Sequence, residues 1–80
     1  MELNNTTYWN HRVIKHTEKD GIVWYGVHEV YYTNDKPVAC TQEAMNPYGE
    51  TAEELKEDLE RMLRACEKPI LDYDTDFPST

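Results

Sequence analysis

"IVWYGVHEVYY", Ile22 to Tyr32, decides the fold. In an extended chain successive side chains alternate, so Val23, Tyr25, Val27, Glu29 and Tyr31 share one face. Ile22, Trp24, Gly26, His28, Val30 and Tyr32 share the other. Large apolar groups stand on both faces, which predicts a central strand. Upstream, YWNHRVIKH (Tyr8 to His16) is aromatic and β-branched without helical spacing and reads as a second strand, joined through the turn-forming TEKDG, Thr17 to Gly21. Downstream, TNDK (Thr33 to Lys36) closes a hairpin, and a third strand runs from Pro37 to about Ala44.

NPYG, Asn46 to Gly49, breaks the pattern and leads into "YGETAEELKEDLERMLRAC", Tyr48 to Cys66. Thr51 followed by Glu54 is a capping box. Leu55, Leu59, Met62, Leu63 and Cys66 then recur at three- and four-residue spacing, which predicts an amphipathic helix lying with this stripe on the sheet. Pro69 ends the helix near Cys66 to Lys68, and Ile70–Leu71 is a candidate edge strand. The expectation is an α+β domain: a three-stranded antiparallel sheet, four-stranded if Ile70 and Leu71 pair, with one C-terminal amphipathic helix packed on one face. Eighty residues make a single domain with one small core. Residues 1–7 and 72–80 read as flexible.

Charge narrows the function. Sixteen acidic residues against eight basic ones give −8, which opposes the phosphate neutralisation that nucleic-acid binding requires, so no direct nucleic-acid binding is expected. Residues 50–80 carry −6 of this charge. A basic partner is expected to meet that half. The N-terminal MELNNTTYWNHRV has no basic segment followed by an apolar run, and no run approaches the roughly 20 apolar residues of a membrane span, so a cytoplasmic protein is expected.

Catalytic signals are weak. The lone Ser79 sits at the C-terminal end, and Cys66 falls in the apolar stripe. Cys40 and Cys66 are too few for a disulfide framework and read as reduced, partly buried thiols. His28 and Glu29 are neighbours on one strand and point to opposite faces; His11 and His16, an odd step apart, are split likewise. There is no glycine-rich phosphate loop, HExxH or CxxC. No enzyme activity, metal or cofactor is expected.

The surface signals are stronger. Glu53, Glu54, Glu57, Asp58 and Glu60 crowd the helix. Glu57 with Arg61 and Glu60 with Arg64 are well-oriented helix pairs, but Glu53 with Glu57 and Glu54 with Asp58 set like charges one turn apart. Helix stability does not call for that arrangement. These five acids, with Trp24, Tyr25 and Tyr31, are the candidate partner-binding residues, since tyrosine and tryptophan bring large area at low entropic cost. An aromatic sheet face also suits a homodimer.

Gly49, Glu50, Thr51, Glu54, Leu55 and Leu59 resemble the strand-to-helix segment of the HicB-like antitoxin family, a small sheet-plus-helix domain. That resemblance implies a non-catalytic protein that binds a basic toxin nuclease and blocks its RNA surface. The acidic composition equally suits an inhibitor of a host or phage defence nuclease that mimics nucleic acid, of anti-restriction or anti-CRISPR type. A small dimeric housekeeping domain is the third alternative.

Overall fold

The structure is a computed structural model and describes residues 6–78. Its elements are β1 (Thr7–Thr17), β2 (Val23–Thr33), β3 (Lys36–Cys40), α1 (Ala52–Cys66) and β4 (Leu71–Asp72), in one sheet ordered β3-β2-β1-β4. The class is α+β. The sheet is mixed rather than antiparallel: β1 pairs antiparallel with β2, and β2 with β3, but β4 runs parallel to β1 through Ile14↔Leu71 and Lys15↔Asp72. A parallel pair needs a long crossover, and the segment containing α1 supplies it.

Each connection has a local cause. Asn34 and Asp35 take φ of 53° and 67°, giving the two-residue turn whose twist matches its flanking strands. Asn and Asp tolerate this left-handed conformation better than other side-chain-bearing residues. β3 stops at Cys40, short of the expected Ala44, and a register shift lies between Tyr31 and Tyr32 on β2. The chain nevertheless stays on β2, since the amides of Thr41 and Met45 donate to the carbonyls of Glu29 and Val27 at 3.0 and 2.8 Å. Register leaves Trp9, His11, Val13, Lys15, Val23, Tyr25, Val27, Glu29 and Tyr31 on one face of the β1–β2 pair, as alternation predicts.

The main core cluster lies on the other face, while Val13 is buried on the first. Ile14, Val30 and Tyr32 are buried, and Cys40, Leu71 and Phe77 pack against them. The Tyr32 ring stacks on Tyr8 at 4.6 Å and its hydroxyl donates to Asn10 Oδ1, while Arg12 Nη1 donates to the same hydroxyl. Asp72 to Pro78, read from sequence as a flexible tail, turns back over this side: Asp72 Oδ1 accepts from the amides of Asp74 and Thr75, and Phe77 reaches the core. Residues 1–5 and 79–80 of the expected loose ends lie outside the described residues.

The helix begins as read but sits otherwise. Thr51 Oγ1 accepts from the Glu54 amide at 3.1 Å, while Glu54 Oε1 accepts from the Glu50 amide, one residue earlier than the expected capping box places it. Ala65 is its buried residue. Leu55, Leu59 and Leu63 remain 38%, 48% and 63% exposed, so the expected burial of the apolar stripe does not occur. Cys66 is exposed as well, not core-facing, and Cys40 is half-buried. At about 100° per residue, the sheltered positions Asp58, Met62 and Ala65 form an edge rotated from the centre of the stripe.

Two polar ties accompany that rotation. The Tyr48 amide donates to Asp58 Oδ2 at 2.9 Å near one end of the helix, and beyond the other Arg12 Nη2 donates to the Pro69 carbonyl at 2.6 Å. A Cβ on Gly49 would run into the Leu55 nitrogen, so only glycine lets the entering chain pass so close to the first turn.

Candidate functional site

The structure divides the eight predicted partner-binding residues among three places. On α1, Glu53, Glu54, Glu57 and Glu60 are exposed, whereas Asp58 is half-buried against the preceding loop. Two acids have structural work that explains their position: Glu54 completes the cap, and Asp58 receives the Tyr48 amide and Arg61. The Tyr48 bond, seconded by Arg61, holds the Asp58 carboxyl below its ordinary range. Arg61 therefore pairs with Asp58 at 3.3 Å, not with Glu57, and this is the one ion pair among the described residues. Glu53, Glu57 and Glu60 have no such partner and form a line along the exposed side of the helix.

The aromatic residues split by register. Tyr25 and Tyr31 share a sheet face with Trp9, which pairs directly across from Tyr31. Trp9 and Tyr25 are 55% and 56% exposed. Tyr31 donates its hydroxyl to Glu29 Oε1 at 2.7 Å, and that bond to a carboxylate raises its pKa by favouring the neutral phenol. A shallow cleft runs where this side meets the helix, lined by Trp9, His11, Arg61, Arg64, Ala65 and Lys68 among others. Basic groups thus interrupt the acidic half here.

Trp24 stands on the opposite face, in a group that reading the strands one at a time does not reveal. Its indole Nε1 donates to Glu18 Oε2 at 2.7 Å, and its ring stacks on His16 at 4.0 Å between centroids. His16 Nε2 lies 2.9 Å from His28 Nε2. His28 is completely buried, with Nδ1 3.0 Å from the Thr41 carbonyl oxygen. Tyr73 covers the other end of the group, its ring 5.3 Å from His16.

Two features of the hairpin bring these histidines together. Register sets His16 opposite Trp24 and Arg12 opposite His28, so both rings rise on the core face with Ile14 and Gly26 between them. Gly26 then leaves the gap the rings lean across: a Cβ there would lie 3.3 Å from His28 Nε2, 3.1 Å from the Trp24 ring and 2.7 Å from Ala44 Cβ. The sequence signal is the same-face series Trp24, Gly26, His28 opposite a strand carrying His16. Only cross-strand pairing exposes it.

No group of three or more His, Cys, Asp or Glu among the described residues is placed to hold an ion. Cys40, the nearest thiol on the core face, is kept protonated by burial, which raises its pKa. No helix among the described residues is long and apolar enough to cross a membrane. No protein-family model, curated protein or solved structure matches the chain.

Proposed function

We propose that this chain is a non-catalytic protein-binding module, antitoxin-like or inhibitor-like, that offers α1 to a basic nuclease or nucleic-acid-binding protein. The observation that carries the reading is the unspent apolar stripe: Leu55, Leu59 and Leu63 are exposed on a helix whose free carboxylates are Glu53, Glu57 and Glu60. An amphipathic helix with its apolar residues outward fits a hydrophobic groove, and the carboxylates favour a groove with a basic rim. The HicB-like pattern around Gly49 and Thr51 and the net charge of −8 agree with this role. Nucleic-acid mimicry is the form it takes if the partner's own nucleic-acid site is the groove. The exposed Trp9 and Tyr25 support a second reading, a dimer through the sheet face they share.

The test is capture from native lysate at low and high salt, using the wild type, a Glu53→Lys/Glu57→Lys/Glu60→Lys variant and a Leu59→Ser/Leu63→Ser variant. The reading expects one basic protein, identified by mass spectrometry, that is retained by the wild type at low salt and lost from both variants. Nucleic acid should compete with the wild type for that protein. Retention by all three, or by none, overturns the reading. A dimeric mass in light scattering that Tyr25→Ala abolishes supports the sheet-face reading instead.

A further inference from the structure

We propose that His16 and His28 form a proton-operated latch: the pair accommodates one added proton and closes over the sheet, while a second opens it and releases Tyr73 and Phe77. The Thr41 carbonyl can only accept, so His28 carries its hydrogen on Nδ1 and presents Nε2 as a bare lone pair. His16 must then donate from Nε2 across the 2.9 Å contact. A first proton from solvent adds at Nδ1 of His16 and leaves that bond as it was. The next must go to His28 Nε2, where it sets N–H against N–H at hydrogen-bond distance beside a fully buried ring. Two imidazolium rings cannot keep that contact.

An ion is a poor substitute for the proton. Metal–imidazole bonds are about 2.0–2.1 Å, so an ion held in line between two nitrogens needs them roughly 4 Å apart. The ring centroids here are only 4.9 Å apart, with the nitrogens facing one another across 2.9 Å. The space fits hydrogen alone.

The surrounding charges set which ring yields. The carboxylates of Glu18, Asp72 and Asp74 favour a cation on His16, and the stacked Trp24 ring tolerates one. Around His28, Thr41 adds only a carbonyl and a hydroxyl, the Cys40 thiol is neutral, and Arg12, paired across from it, sends its guanidinium to the Tyr32 hydroxyl and the Pro69 carbonyl. His28 is walled in, whereas His16 lies nearer the surface between Trp24 and Tyr73. His16 therefore swings out, and Tyr73 loses the ring it covers. Phe77 is 6.0 Å from Tyr73 and packs on Ile14, Val30 and Tyr32, so the disturbance reaches the core.

Burial and then His28 lower the His16 pKa, against the pull of Glu18, Asp74 and Asp72. An opened His16 binds its proton more readily than a closed one. The closed form therefore keeps its full advantage above about pH 6.5, gives up part of it to the first proton while its contacts persist, and gives up the rest to the second.

The test is side-chain nitrogen NMR of the wild-type histidines from pH 8 to 4.5, read together with His16–Tyr73 ring contacts and exchange of the Tyr73 amide. Two coupled steps are expected, with ring contacts surviving the first and vanishing in the second. In the second step the open-to-closed ratio rises about tenfold per pH unit for the one proton involved. His16→Asn should keep the fold at pH 8 and remove the acid-dependent rise in Tyr73 amide exchange. Two independent one-proton titrations, or Tyr73 contacts that persist through both steps, overturn the latch; both are measured on the wild type, so the latch stays falsifiable even where the variant fails to fold.

Discussion

Ile14, Val30 and Tyr32 on the sheet and Leu55, Leu59 and Leu63 on the helix are apolar sets of equal number with opposite exposure. The first set is sealed by Cys40, Leu71 and Phe77; the second faces outward from the most regular amphipathic element in the chain. Hydrophobicity alone does not decide between them. The Tyr48 amide on Asp58 and Arg12 on the Pro69 carbonyl tie the helix region down with its stripe turned outward. A buried stripe contributes to folding, whereas an exposed one contributes only once something covers it.

This contrast can be broken from either side. Ile14→Ala, at a completely buried site, should cost about 2–5 kcal/mol in urea unfolding. Gly26→Ala should cost about 1–3 kcal/mol by overpacking, because Ala44 Cβ lies 2.7 Å from the added methyl. It should also separate the two histidine rings, visible as a changed His16 ring shift. On the helix, Thr51→Ala should cost about 1 kcal/mol through loss of its cap. Leu59→Ser/Leu63→Ser should move stability by roughly 0.5 kcal/mol per site or less, since both are exposed, while abolishing partner retention. A large destabilisation by that double variant would mean the stripe is buried after all.

Asp58 sharpens the comparison through pH. Its carboxyl titrates lower in the folded chain than in the unfolded one, because the Tyr48 amide and Arg61 favour its ionised form. The unfolded chain binds the proton first as pH falls. The stabilisation is therefore present above about pH 4 and is lost as pH drops through the lower folded value. Asp58→Asn should flatten that acid limb in urea titrations.

Much of the fold was legible because its causes are local. Alternation in Ile22 to Tyr32, the Asn34–Asp35 turn and the Thr51 cap each specify an element within a few residues. The parallel direction of β4 was not, since two paired residues leave no periodicity to read. The helix's rotation was hidden too: it is a matter of contacts such as Arg12 meeting a carbonyl 57 residues away, which local periodicity does not carry. Of the acids, Glu54 was legible as a capping residue, whereas Asp58, one turn from it, looked surplus to helix stability until the Tyr48 amide appeared as its partner. The histidine pair escaped because neighbours along a strand diverge, while His16 and His28 converge only through register and the missing Gly26 side chain.

The short β4 has a consequence for how copies or partners can assemble. Its outward amide, that of Asp72, is taken by Asp76 Oδ2 at 2.6 Å, while the next amide, on Tyr73, points inward to the Lys15 carbonyl. A foreign strand approaching this edge finds its first donor occupied and a cluster of carboxylates in its path. Sheet extension by backbone pairing is blocked at this margin, which leaves recognition to side chains.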